Sequence, residues 1–329
     1  MMTLPKFQFL APETLKEAVE LLDKHSDEAK VIAGGTDLLV SMKQKLFTPN
    51  YLIGLDKLKE LKSTEFSDSE GLKLGAAVTI AEITSNKKIQ EKFPVLALAA
   101  GKVATVTLRN KGTIGGNVLL DTRCYYYNQS FFWRKSLGYC MKKDGTICHV
   151  APGSSSCRAI ISTDIVPALI TLNATVTFLS NSGERTIPLD EFYNEDGMEW
   201  RRIQPNEILV SVNIPNSPKG FKATYHKLRR RETIDYPMLG VAVSYVENAN
   251  GEMENPRIVM TAIQSSPMEV PEASKLLEGK KPTQELIAQA SELAYKIAKP
   301  LDLTNAPPLY RKKMVRVFVK RALEELAGF

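Results

Sequence analysis

Val31-Ile32-Ala33-Gly34-Gly35-Thr36-Asp37-Leu38-Leu39 reads as a short apolar strand running straight into a glycine pair. A strand that ends in Gly-Gly-Thr presents consecutive backbone N–H groups with no Cβ in the way, a nest that suits a diphosphate. Gly112-Thr113-Ile114-Gly115-Gly116-Asn117 offers a second turn of the same kind. Its Asn tolerates left-handed backbone and its Thr adds a hydroxyl donor. Two such turns could grip one pyrophosphate from both sides. Taken singly, each also reads as ordinary loop punctuation. Neither matches G-x-G-x-x-G or G-x-x-x-x-G-K-[ST], which disfavours Rossmann and P-loop readings.

Around these turns the pattern alternates. Thr14 to Asp23 has helical spacing behind a Thr N-cap, and Leu38 to Lys45 can begin another helix. Tyr51 to Leu55 and Leu72 to Ala76 read as strands, Ile89 to Val103 as one helix with a small-residue face. Regular structure resumes at Asp164 to Leu169, followed by a strand from Ala174 to Leu179 and a turn through Asn181-Ser182-Gly183. From about Pro205 the character changes. Glu207 to Ile214 alternates as a strand, Lys222 to Leu228, Gly240 to Val246 and Arg257 to Ile263 follow, and helices at Gln284 to Ala298 and Pro308 to Leu326 close the chain. Strands followed by helices suggest a separate α+β layer, with the boundary between Asn194 and Lys219.

The 329 residues allow about two domains. With 43% apolar and 24% charged residues, composition excludes a disordered or collagen-like chain. No apolar run approaches the ~20 residues of a membrane helix. The start, MMTLPKFQFLAPET, lacks a basic stretch followed by an apolar one, so a cytoplasmic chain is expected. A net charge of +6 is too weak to mark a nucleic-acid binder.

All four cysteines, Cys124, Cys140, Cys148 and Cys157, fall in one aromatic-rich window with the spacing C-x15-C-x7-C-x8-C. Disulfides do not suit a cytoplasmic chain, and zinc usually recruits close pairs such as C-x2-C. Four separated thiolates can hold a [4Fe–4S] cluster, one at each corner; buried free thiols are the alternative. His149 is a spare ligand or, better, a surface histidine or hydrogen-bond donor. Trp133 and Trp200 read as packing residues, and Arg229-Arg230-Arg231 as a solvated or internally paired run that could also steer an acidic partner.

The two glycine segments together resemble the paired FAD loops of the flavoprotein (medium) subunit of the xanthine dehydrogenase and molybdenum hydroxylase family. The resemblance runs over essentially the whole chain. Asn206-Glu207-Ile208-Leu209 resembles the segment before the family's C-terminal domain, and Tyr225-His226-Lys227-Leu228-Arg229 with Asp235 and Gly240-Val241-Ala242 its next block. In most members a Ser/Thr-Asp pair follows the Gly-Gly-Asn turn closely. Here that pair, Thr163-Asp164, comes far later, and the extra length is the cysteine window. Asp121-Thr122-Arg123-Cys124, Tyr127-Asn128-Gln129-Ser130, Gly138-Tyr139-Cys140 and Cys148-His149-Val150 resemble the insertion of the 4-hydroxybenzoyl-CoA reductase β-subunit branch, which carries a [4Fe–4S] cluster. An aldehyde oxidoreductase branch has a related insertion that matches less well.

The resemblance implies an α+β protein. An N-terminal FAD-binding domain at 1–204, of two α/β subdomains with a cluster-binding insertion at 118–162, would precede a C-terminal domain of antiparallel sheet plus helices at 205–329. Val31, Ile32, Ala33, Gly34, Gly35, Thr36, Asp37 and Leu38 would wrap the FAD pyrophosphate and ribityl chain. Val103, Ala104 and Leu108 would line the flavin or adenine pocket, and Thr113, Gly115, Gly116 and Asn117 would close the second loop. Asp164 would bond the sugar-like part, Leu209 and Lys227 would reach in from the C-terminal domain, and the four cysteines would hold the cluster. No catalytic acid or base stands out. The implied partners are a molybdenum-cofactor subunit and a [2Fe–2S] subunit in a doubled heterotrimer, with ferredoxin as electron donor and 4-hydroxybenzoyl-CoA reduced elsewhere in the complex. An aldehyde or N-heterocycle hydroxylase running electrons outward is the alternative. A stand-alone flavoenzyme would have only His25, His149 and His226 as histidines to draw on.

Overall fold

The computed structural model describes residues 3–304 and 306–329. The chain opens with β1 (Gln8–Leu10), α1 (Leu15–His25), β2 (Ala29–Ile32), α2 (Leu38–Lys43) and β3 (Tyr51–Gly54). The three strands form a small parallel sheet in the order β1-β3-β2. Thr14 caps α1 by accepting from the Glu17 N–H, and Ala18, Val19 and Leu22 are the buried face that the spacing predicts.

A second unit is built on β4 (Thr64–Ser67) and β5 (Gly71–Gly75), then α3 (Ile80–Ser85), α4 (Lys87–Lys92), α5 (Pro94–Gly101), α6 (Val106–Arg109) and α7 (Ile114–Val118). The cysteine window contains α8 (Phe131–Ser136), and α9 (Ile165–Thr171), β6 (Thr175–Ser180), β7 (Gly183–Pro188) and β8 (Ile208–Ile214) follow. The strands make an antiparallel sheet ordered β4-β5-β8-β6-β7, with the apolar α5 and α9 in the same core. The single helix expected from Ile89 to Val103 is two, because Pro94 has no N–H to continue α4 and instead starts α5 at its N-terminus.

β8 corrects the expected division of the chain. Placed by its alternation at the head of the C-terminal unit, it pairs instead with β5 and β6 and lies in the middle of the central sheet. Alternation reports which faces a strand buries but carries no information about its neighbours.

The last unit is an antiparallel sheet of β9 (Phe221–Leu228), β10 (Leu239–Glu247), β11 (Met253–Thr261) and β12 (Met268–Glu269), with α10 (Pro271–Leu277), α11 (Gln284–Ile297) and α12 (Pro308–Ala327). β10 is buried on both faces. Val241, Val243 and Tyr245 pack against the helices, whereas Ala242 joins the core of the central unit. The sheet is therefore a shared wall between the two halves.

Candidate functional site

The three units meet around one cavity of about 1210 Å³. Its wall brings together Val31 to Leu38 of the first glycine segment, Thr113, Gly115, Gly116 and Asn117 of the second, and Val103, Ala104, Leu108, Asp164 and Leu209. Lys227 lies behind that wall. Its ammonium donates to Asp164 Oδ2 at 2.8 Å and to the Lys102 carbonyl at 2.9 Å.

Close approach of the two segments explains the glycines. A methyl at Gly34 would collide with the Lys111 carbonyl, so the loops touch backbone to backbone only because Gly34 has no side chain. Gly35 has φ +67°, the left-handed region that an L side chain avoids. Among the described residues, no protein acceptor engages the N–H groups of Gly34, Gly35, Thr36 or Asp37. These donors border a cavity and lack partners, which is the signature of a site built for an acceptor.

The second segment works differently from the nest read from its sequence. Gly115 and Gly116 lie in α7, and Thr113 caps it by accepting from the Gly116 N–H. The Gly115 N–H donates to Ala76 at 2.9 Å and the Asn117 N–H to Thr113 at 3.0 Å. The backbone donors of Gly112 and of Ile114 through Asn117 are therefore consumed within the fold. What remains is space, since a Cβ at Gly116 would meet only Thr113 Oγ1.

Asp164 is similarly committed. One oxygen accepts from Tyr225 at 2.8 Å and the other from Lys227. Burial holds its carboxyl above the ordinary range, against the pull of the Lys227 charge. The carboxylate joins the two halves of the protein before it can meet any ligand.

Tyr236 and Arg123 also border the cavity; from sequence, Arg123 is read only as part of the motif around Cys124 and neither residue is assigned to the cofactor. Arg123 is ion-paired with Asp37 of the first loop, and it donates to Tyr236 Oη at 2.8 Å. Its Nε is buried without a hydrogen-bond partner. Ile234 donates its N–H to the Ala104 carbonyl at 3.0 Å, closing the C-terminal loop over the cavity. The arginine run supports that loop. Arg229 pairs with Glu232 at 2.9 Å, and Arg231 bonds Asp235 through its backbone and its guanidinium.

The cysteine window leaves and returns through one antiparallel bridge, in which Arg123 and Ile160 exchange both backbone bonds. Arg134 pins it to the body, donating to the Gln44 and Lys45 carbonyls at 3.1 Å. Cys140, Cys148 and Cys157 are buried, Cys124 partly so, and all four are thiols. Burial pushes the Cys124 thiol up to about 12, opposed by the N–H groups of Tyr126 and Tyr127 and reinforced by Cys140 and Cys157. Cys157 is likewise raised by burial, and it feels Cys148 and Cys140. The four sulfurs thus share one electrostatic neighbourhood. Among the described residues no three His, Cys, Asp or Glu side chains converge as ligands of a single metal ion. His149 donates to the Tyr139 carbonyl and lies beside the Tyr126 ring. Trp133 packs edge-on against Tyr125, and Trp200 donates to the Leu120 carbonyl at 3.1 Å.

A cavity of about 1210 Å³ between two glycine segments, rimmed by unpartnered backbone donors and closed by a third unit, defines a protein that binds an extended, acceptor-bearing ligand. Residues 5–217 match the family model of the FAD binding domain in molybdopterin dehydrogenase, and residues 223–326 that of the CO dehydrogenase flavoprotein C-terminal domain. The chain belongs to this family, as a medium, FAD-binding subunit of the xanthine dehydrogenase and CO dehydrogenase type. It is 28% identical over 320 residues to the carbon monoxide dehydrogenase medium chain of Hydrogenophaga pseudoflava, covering 97% of this chain and 96% of that one. It is 32% identical over 234 residues to the aldehyde oxidoreductase FAD-binding subunit PaoB of Escherichia coli (strain K12), covering 68% and 73%. It is 26% identical over 330 residues to the nicotinate dehydrogenase FAD-subunit of Eubacterium barkeri, covering 98% of each. The solved carbon monoxide dehydrogenase from Hydrogenophaga pseudoflava that lacks the Mo-pyranopterin moiety superposes with a TM-score of 0.81 at 27% identity, covering 99% of each chain. Among the described residues no helix is long and apolar enough to cross a membrane.

Proposed function

We propose that this chain is an electron relay that holds FAD in the central cavity and a [4Fe–4S] cluster on Cys124, Cys140, Cys148 and Cys157. The observation that carries the FAD half is the set of unpartnered N–H groups from Gly34 to Asp37 on a cavity of dinucleotide size. These donors would take the diphosphate, while Gly116 supplies clearance. Arg123 has its buried, unpartnered Nε for an acceptor on the cofactor. Bound FAD supplies one- and two-electron chemistry, and the chain's part is to bind, orient and shield it.

Support for the cluster lies in the grouping of the thiols. A cubane takes one thiolate at each of four separated corners, so its ligands need not converge as those of a single ion do. N–H groups of Tyr126 and Tyr127 at Cys124, and of Ala159 at Cys157, are the donors that ligated sulfur requires. The relatives' names say nothing of such a cluster; this reading stands on the insertion alone.

The complex would contain a molybdenum-cofactor subunit and a [2Fe–2S] subunit, in the cytoplasm. Relatives named for aldehyde and nicotinate oxidation favour a partner that oxidises an aldehyde or N-heterocycle and sends electrons outward through this chain. A second reading, reduction of 4-hydroxybenzoyl-CoA with electrons from a ferredoxin, is favoured by the residues around the four cysteines. The purified complex separates these. We expect one FAD per copy of this chain, and four iron with four labile sulfide beyond those of the [2Fe–2S] subunit. Absence of flavin overturns the relay, and flavin with no iron beyond that of the [2Fe–2S] subunit removes the cluster. Turnover of aldehydes or N-heterocycles supports the first reading; reduction of an aromatic acyl-CoA by a low-potential donor, with no such turnover, replaces it by the second.

A further inference from the structure

Lys142 is a buried cation, its side chain 5% exposed, placed between the flavin cavity and the thiols. Its ammonium donates to Asp121 Oδ1 at 2.7 Å, Thr122 Oγ1 at 2.5 Å and the Gly197 carbonyl at 2.6 Å. The rings of Tyr127 and Trp200 cover it, with centroids at 4.7 and 4.5 Å. Each contact points to one side or the other. Asp121 and Trp200 border the cavity. Tyr127 packs beside Cys140, and Gly197 lies so close to Cys157 that a Cβ there would stand 2.8 Å from its sulfur.

We infer that Lys142 and Asp121 form an oriented charge pair that sets the reduction potential of the iron–sulfur cluster, with the cation toward the cysteines and the anion toward the flavin cavity. The inference rests on the cluster reading above. A thiolate-ligated cluster becomes more negative when it accepts an electron, and a fixed cation nearby stabilises that form strongly where water is excluded. Lys142 acts as a fixed charge, locked by three acceptors, one of them the carbonyl of the Gly197 that packs against the Cys157 sulfur. Asp121, which lines the cavity where Lys142 does not, offsets its field. Its other oxygen accepts from Tyr127 at 2.8 Å, so it too is held in place. The pair therefore favours residence of the electron on the cysteine side.

The test is a potentiometric titration of the assembled complex, following the cluster by electron paramagnetic resonance, with iron and labile sulfide measured first. If the wild-type complex holds no iron beyond that of the [2Fe–2S] subunit, and no [4Fe–4S] resonance, the cluster reading falls and takes this inference with it. With the cluster present, Lys142→Gln should move its reduction equilibrium at least tenfold toward the oxidised form, about 59 mV for one electron. Lys142→Arg should stay near wild type, and Asp121→Asn should shift the other way. Should Lys142→Gln fail to assemble its cluster, Asp121→Asn decides alone: a shift toward the reduced form supports the pair. Loaded clusters at the wild-type potential in the variants, or shifts of the same sign in Lys142→Gln and Asp121→Asn, overturn it.

Discussion

Arg123, the residue before Cys124, is ion-paired with Asp37 of the first glycine loop. Tyr236 completes the contact, accepting from Arg123 at 2.8 Å and donating to Asp37 at 3.3 Å. The cysteine window, the first loop and the C-terminal unit are therefore tied at a single point on the cavity wall. Replacing Arg123 by Leu removes the tie and strands Asp37 at the rim. Flavin release, followed by fluorescence, should become about tenfold easier, an effect of the 1.5–3 kcal/mol scale of hydrogen bonds to charged groups. Unchanged retention would detach Arg123 from the cofactor site.

Gly34 and Gly116 should respond in different ways. Gly34→Ala drives a methyl into the Lys111 carbonyl, so it should destabilise the fold by about 1–3 kcal/mol or more in thermal or urea unfolding. Gly116→Leu meets little protein, so it should leave the melting temperature of the flavin-free protein nearly unchanged while lowering FAD occupancy. Full occupancy in that variant would show that the second segment does not face the cofactor.

Cys140→Ser should lose the iron and labile sulfide held by this chain and keep FAD, since Cys140 is not among the residues that line the cavity. Iron content equal to wild type would reject the ligand assignment.

Lys227 and Asp164 have side chains 1% and 5% exposed. Lys227→Met leaves the carboxylate buried and uncompensated, and should cost about 3–5 kcal/mol. Adding Asp164→Asn to it should recover much of the loss, which a double-mutant cycle by denaturant unfolding would read directly.

In the cluster-free protein the Cys124 thiol ionises only near 12, against an ordinary value of 9.0. Because the folded chain holds this proton more tightly than the unfolded one, the thiol's contribution to stability is complete below pH 9. It should be lost as pH rises toward 12. Unfolding midpoints that fall across this window, and slow alkylation of Cys124 at neutral pH, are the expected results; rapid alkylation there would contradict them.

Much of this was legible in the sequence where local physics decides. The α1 cap, the strand into Gly34-Gly35 and the last two helices follow from spacing and capping alone. Gly34 and Gly35 could be read because their peculiarity is the absence of a side chain. The second segment was harder: its N–H groups look available in the sequence, but Ala76 and Thr113 claim them once the chain folds. The membership of β8, the Asp37–Arg123 contact and the role of Lys227 all depend on partners distant in the chain. No periodicity encodes those pairings.

The bridge between Arg123 and Ile160 gives the cysteine segment the topology of a side branch on a stem. Antiparallel partners that exchange both backbone bonds sit close enough to be joined by a two-residue turn. Residues 124–159 are thus excisable in principle, and the surrounding flavin fold would keep its path with a tight hairpin in their place. A segment seated on one such stem can be lengthened, shortened or exchanged without redesigning the scaffold that carries it.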